Sequence, residues 1–224
     1  LAYNPQHMAG LQVFFQALLN KNTIVNVFGL DRNQIYSCIK QYNITHLSAT
    51  PTFYKMLLPA NESFNKVLQV TYGGERFSES LQNNMTTLFP NAKFTNVYAS
   101  TEAGALFAAI GNHFTISEKM KPFVKINDNE LMIHRSILAS ADDLELENDW
   151  YATGDMVNLI NHNPVTFNFL SRKNEMINVG GSKVNPNEVE EIIMSMTGII
   201  DVKVYGKENS LMGNIICADI VTES

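Results

Sequence analysis

The first half of the chain alternates two hydrophobic periods, and this most narrows what it can fold into. Short β-branched runs at residues 23–27, 67–71 and 94–98 are separated by stretches whose apolar residues recur at helical spacing. The two periods demand different backbones. Their alternation describes an α/β sheet covered by helices. Asp31 stands where a helix cap is needed, ahead of Ile35, Cys38 and Ile39, and Ser78 opens a second helix that runs to Leu88. With helices on the sheet, the loops leaving the strands stay free for binding.

From residue 114 to 170 the helical period fades. Alternating segments at 131–134, 156–160 and 165–170 predict a smaller β-rich subdomain, and the acidic stretch 140–149 reads as a solvated loop. After Arg172, Asn185, Pro186 and Glu188 make a helix start: the Asn caps, the Pro takes the first turn and the Glu suits the positive end of the helix dipole. Val189, Ile192, Ile193 and Met196 form its apolar stripe and Gly198 its end, with strands to follow at 201–205 and 215–221. The expected class is α/β: a helix-covered sheet subdomain (1–112), a β-rich subdomain (113–171) and the start of a small α+β C-terminal domain (172–224).

Composition excludes several functions. A net charge of -6 over 224 residues, with no Lys/Arg run, argues against a nucleic-acid surface. The longest apolar stretches are broken by polar residues and fall short of the roughly 20 needed for a membrane span. Cys38 and Cys217 stand far apart in no metal-binding pattern, so neither a zinc site nor a disulfide scaffold is expected, and a cytoplasmic location fits best. The chain opens on Leu1 with no signal-like segment, so it is expected to be cut from something longer.

Four clusters carry candidate chemistry. Gly73-Gly74-Glu75 follows a predicted strand, where paired glycines let a flat ligand lie against bare backbone; an ordinary turn would use the same residues. In the stretch 96–104, Tyr98 offers a stacking face, Thr101 a donor for a phosphate oxygen, and Glu102 a carboxylate for magnesium, a hard cation. A helix capped by Thr101 is the plain alternative there. In the stretch 150–155, Asp155 beside a glycine-permitted turn is suited to accept two hydrogen bonds from a ribose diol, although it could simply cap that turn. In the stretch 171–184, Arg172 precedes a strand and the Gly180-Gly181 loop, an arrangement able to contact a nucleotide and swing a neighbouring unit; a hairpin with charged edges would look alike.

Taken in order, these clusters resemble the adenylate-forming superfamily of acyl-CoA synthetases, aryl-CoA ligases and peptide-synthetase adenylation domains, over nearly the whole chain. Pro5-Gln6-His7-Met8-Ala9-Gly10 is similar to the segment just after the phosphate loop of acyl-CoA ligases, and residues 44–51 to the strand and turn that follow. Gly73, Gly74 and Glu75 resemble the adenine-contacting turn, residues 98–102 the Y-G-x-T-E signature, Thr153 to Asp155 the T-G-D motif, and Arg172 onward the hinge with its Gly-Gly loop.

The resemblance implies that a single adenosine is clasped with Tyr98 on its base and Asp155 on its ribose. Thr101 would contact the α-phosphate, Glu102 would help hold Mg2+, and Arg172 would reach ribose or phosphate. His7 would line the acyl pocket or gate access between acyl and thiol channels, and Asn174 would sit at the hinge. The implied ligands are ATP and AMP, Mg2+, a small carboxylic acid, and CoA or the phosphopantetheine of an acyl carrier protein. His7 with no Asp nearby favours an acyl or aryl acid over an amino acid. Ala99 departs from the usual Gly, and Asn174 stands where Asp or Lys is common.

The phosphate loop is expected ahead of Leu1 and the adenylation lysine beyond Ser224, so the resemblance implies a C-terminal-half fragment, weak or inactive alone. The alternatives are a non-catalytic nucleotide-binding or interaction module, and an unrelated dehydrogenase or transferase domain. No G-x-G-x-x-G follows the early strands to support the last.

Overall fold

The computed structural model describes residues 1–75, 77–139 and 144–222, divided into two units, Leu1–Phe114 and Thr115–Ser224. The first unit runs α1 (Met8–Leu19), α2 (Arg32–Gln41), β1 (His46–Ala49), α3 (Pro51–Met56), β2 (Gln69–Gly73), α4 (Glu79–Leu88), β3 (Lys93–Ser100) and β4 (Gly104–Ala109). Its sheet has the order β1-β2-β3-β4. The first three strands are parallel, and β4 returns antiparallel to β3.

Helix starts are encoded locally. Asp31 Oδ1 accepts the N–H of Gln34 while Gln34 Oε1 accepts the N–H of Asp31, both at 3.0 Å, a reciprocal box that satisfies two of the donors a helix start leaves over. Thr50 and Ser78 cap α3 and α4 through the N–H groups of Phe53 and Leu81. Period-2 alternation buries Val70 and Tyr72 of β2, while Thr71 points to the other face. Ile35 and Ile39 of α2, Leu81, Met85 and Leu88 of α4, and Tyr54 of α3 join Val70 and Tyr72 in one core, where Tyr72 stacks on Phe77 at 3.9 Å.

Residues 23–27 form no strand. Their backbone meets the chain start, with Val27 N–H donating to Leu1 O and the Leu1 ammonium to Val25 O, and the turn that follows, with Leu30 N–H donating to Val27 O, so the β-branched run joins no ladder. The predicted strand at 67–71 lies two residues later, at β2; Val67 is instead a fully buried loop residue. Only Gly10 of α1 is buried, and a Cβ there would come within 2.2 Å of Asn4 O.

The second unit continues with β5 (Phe114–Thr115), β6 (Val124–Asn127), β7 (Glu130–His134), β8 (Leu146–Glu147), β9 (Trp150–His162), β10 (Val165–Arg172), β11 (Ile177–Val179), β12 (Ser182–Val184), α5 (Pro186–Met194), β13 (Ile199–Asn209) and β14 (Gly213–Thr222). One sheet has the order β5-β10-β9-β7-β6 with β8 on β9, and the other β12-β11-β14-β13. Residues 140–143 of the predicted acidic loop lie outside the described residues. The rest of that stretch leads through Leu144 and Glu145 into β8 and a two-residue turn of Asn148 and Asp149, both at positive φ, before β9.

Register shifts interrupt the first of these sheets, two of them near the candidate site and the start of α5. Register pairs Glu130↔Met156 and Met132↔Ala152 leave Leu131 opposite Thr153, Gly154 and Asp155 together. Thus the predicted turn at 153–155 is instead a bulge inside the long strand β9, with Gly154 at φ 75°. On β10, Leu170 is the extra residue between Phe169 and Ser171. Its carbonyl accepts the side-chain amides of Asn185 and Asn187 at 3.5 and 3.2 Å, at the start of α5.

Asn185 caps α5, and Pro186 takes its first turn as expected. The helix ends at Met194, ahead of Gly198, because Ser195 Oγ turns back on Ile192 O. Val189 and Ile193 pack with Ile177, Val202 and Val204, whereas Ile192 and Met196 of the predicted stripe are exposed. With so short a helix, the face on the sheet is narrower than the stripe.

Candidate functional site

In the first unit, the loops after β2 and β3 carry the predicted residues. Gly73 is a register partner of Val97, and a Cβ on it would lie 2.2 Å from Val97 O, so the sheet itself requires this glycine. Gly74 differs: its φ is 80°, and nothing lies within 4 Å of a Cβ there, so its backbone is presented bare. Glu75 does not extend into open space. Its Oε2 accepts the N–H and Oγ1–H of Thr52, at 3.0 and 2.6 Å, which ties the loop to the first turn of α3 where a carboxylate suits the dipole.

Tyr98 is half-buried on β3, its ring 6.0 Å from that of its register partner Phe107 on β4. Thr101 is exposed and Glu102 half-buried in the turn to β4. That turn is not a helix start, and its cap is Ser100, whose Oγ accepts the N–H of Ala103 at 3.1 Å; Gly104 then leaves it at φ 68°.

His7 is exposed at the N-cap of α1, where its side chain makes no capping bond. With Ser48, Thr71, Gly73, Gly74 and Thr95 it lines a cavity of about 1070 Å³, which Tyr98, Thr101 and Glu102 do not line. Ser48, Thr71 and Thr95 line it with hydroxyls, and Tyr72 borders it as well.

In the second unit, the bulge on β9 presents Asp155. Its backbone N–H donates to Thr153 Oγ1 at 3.1 Å, and that hydroxyl donates to Leu131 O at 2.8 Å. Asp155 is 8% exposed yet ionic, and its Oδ1 lies 3.2 Å from Nε of Arg172, the register partner on β10. Asn174 lies in the turn closed by Glu175 N–H on Arg172 O, and Gly180-Gly181 closes the β11–β12 hairpin at φ 58° and 89°. The hairpin reading of that last cluster is thus the one the backbone displays.

Sequence reasoning missed Glu130 and gave Lys173 no role. Glu130, 8% exposed, accepts the Gly154 N–H on Oε1 at 2.9 Å and faces Lys173 Nζ with Oε2 at 3.0 Å. Lys173 N–H returns to Gly154 O at 2.7 Å. Glu130, Thr153, Gly154, Arg172, Lys173 and Asn174 border a cavity of about 390 Å³. The signal was present: Glu130 is a lone carboxylate opening an otherwise apolar strand, and such a charge needs partners when buried.

The second unit thus offers an acceptor held in place at Asp155 with a cation beside it at Arg172, and the first offers the bare backbone of Gly74. Among the described residues, no group of three or more His, Cys, Asp or Glu is gathered for a metal. Magnesium bound through one or two carboxylates together with substrate phosphates needs no such group.

Comparison with known proteins agrees. Bacitracin synthase 3 of Bacillus licheniformis is 24% identical over 96% of this chain and 4% of its own length. A 2-succinylbenzoate--CoA ligase of Staphylococcus aureus is 25% identical over 97% of this chain and 48% of its own. The o-succinylbenzoate CoA synthetase of Bacillus subtilis, solved with an acyl-adenylate intermediate, has the same fold with a TM-score of 0.73 at 20% identity, covering 100% of this chain and 51% of that one. The chain therefore spans about half the length of these ligases. The model of the AMP-binding enzyme family matches residues 2–127, more than half of the sequence, and the chain belongs to that family.

Proposed function

We propose that this chain carries the nucleotide-binding part of an ATP-dependent carboxylic acid ligase. In the first step a carboxylate oxygen attacks the α-phosphorus of ATP, giving acyl-AMP and releasing pyrophosphate. In the second, the sulfur of CoA or of a carrier protein's phosphopantetheine attacks the acyl carbon, and AMP leaves. Neither step uses a protein nucleophile. Positioning and charge neutralisation do the work.

Each residue then has a stated part. Asp155 accepts from the ribose hydroxyls, and Arg172 reaches the ribose or phosphate. Tyr98 stacks on adenine beside the bare backbone of Gly74, and Gly73 and Glu75 hold that loop in shape. Thr101 donates to the α-phosphate, and Glu102 holds magnesium, which neutralises phosphate charge when bound. His7 lines the acyl cavity, Asn174 is the hinge, and the subdomains divide at residues 112 and 171. The name of the 2-succinylbenzoate--CoA ligase supports a carboxylic acid as substrate and CoA as one acceptor.

The observation that carries this reading is the buried Asp155 carboxylate, lifted on a bulge and paired with Arg172. Calorimetric titration of the chain with ATP and AMP tests it. Binding that weakens at least tenfold in Asp155→Asn, the range for a hydrogen bond to a charged group, supports the ribose role; no nucleotide binding by the unaltered chain refutes it. Because the chain spans about half of its ligase relatives, pyrophosphate exchange across an acid panel is expected to be weak here. Rapid exchange by this chain would refute that expectation.

A further inference from the structure

We propose that Glu130 is the positioning residue for the ribose-binding carboxylate, acting through the bulge and not by touching nucleotide; this rests on the ribose role proposed for Asp155. Leu131 faces three residues of β9, and on the β7 side the Gly154 N–H meets a side chain in place of a strand carbonyl, while its C=O faces the β10 side next to the Arg172–Asp155 pair. A displaced backbone group inside a sheet must find another partner. Glu130 Oε1 takes the Gly154 N–H at 2.9 Å, and the backbone N–H of Lys173 takes the Gly154 carbonyl at 2.7 Å. One side chain and one strand end thus hold both polar groups of the residue that precedes Asp155.

The two ends of this clamp are joined. Lys173 Nζ lies 3.0 Å from Glu130 Oε2, so the carboxylate is fixed at both oxygens. Lys173 follows Arg172, which is paired with Asp155. Glu130 and Asp155 are both 8% exposed, yet each has its own cation, Lys173 for one and Arg172 for the other. The pairing is therefore divided: Arg172 sets the direction of the ribose acceptor, and the Glu130–Lys173 pair sets the height of the strand that carries it. Thr153, bonded to Leu131 O, completes the bulge on its other side.

The test compares ATP with 2′,3′-dideoxy-ATP by equilibrium titration of the full chain. The unaltered chain is expected to prefer ATP by about tenfold or more, as for loss of hydrogen bonds to a charged acceptor. In Glu130→Ala, ATP affinity falls while dideoxy-ATP affinity stays, so the preference collapses toward one. Glu130→Gln keeps an oxygen for the Gly154 N–H and keeps most of the preference. A folded Glu130→Ala chain with the unaltered preference overturns the proposal. If that variant does not fold, Lys173→Met decides, with the preference reduced about threefold or more under the proposal and unchanged against it. An unaltered chain that binds both nucleotides equally refutes the ribose role of Asp155 itself, a different failure because it is seen before any substitution.

Discussion

Arg172 Nε lies 3.2 Å from Asp155 Oδ1, and the two residues are register partners on neighbouring strands. The arginine side chain is 61% exposed, so water screens the pair and its own contribution to stability is small, about 0–1 kcal/mol. Arg172→Ala is therefore expected to shift the melting temperature by only a few degrees while weakening ATP binding about tenfold. Thermal melts beside nucleotide titration check this. A large loss of stability with unchanged binding would contradict it.

The adjacent glycines of the first loop should behave differently. Gly73→Ala puts a carbon 2.2 Å from Val97 O and must separate β2 from β3, at a cost of about 2–4 kcal/mol. Gly74→Ala meets open space and bears only the penalty of positive φ, about 1 kcal/mol. Urea unfolding of the two variants gives the order directly, and the reverse order would show that the loop is not held as described.

Tyr54 predicts an alkaline limit for the first unit. Burial, reinforced by neighbouring Tyr3, raises its phenol well above the usual 10.0. The folded chain holds this proton when the unfolded chain releases it, so the stability it provides is complete below pH 10 and lost as pH rises beyond it. Tyr54 Oη also donates to Thr71 O at 2.9 Å. Tyr54→Phe is expected to cost about 1 kcal/mol at neutral pH and to flatten the decline of stability above pH 10, measured by denaturant midpoints across pH.

Asp31→Ala removes one half of the reciprocal box at α2 and leaves the Gln34 N–H without its partner. A loss of about 1 kcal/mol is expected. Asp31→Asn should recover most of it, because its amide oxygen can accept the same bond.

Where the chain's instructions are local, the sequence was readable. Asp31, Ser78 and Asn185 cap the helices expected of them, since a cap needs only a side-chain oxygen and the next turn of backbone. Residues 23–27 mislead for the opposite reason: a β-branched run becomes a strand only beside another strand, and its partner is not in the run. The bulge at Thr153, Gly154 and Asp155 was hidden similarly, because a glycine next to an acid looks the same in a turn and in a bulge. Only the register against Leu131 separates them. Glu130 was legible as an oddity in an apolar strand, but its contact with Lys173, 43 positions away, was not.

The surplus residue at Leu170 leaves the last strand of its sheet with a carbonyl to spare, and Asn185 and Asn187 take it. Beyond Asn174, β11 is stitched to the β13–β14 hairpin through Gly180 N–H on Met212 O and the Asn214 amide on Asn178 O. The amides of Asn185 and Asn187 both belong to the start of α5, so one main-chain oxygen of β10 fastens that helix start to the strand.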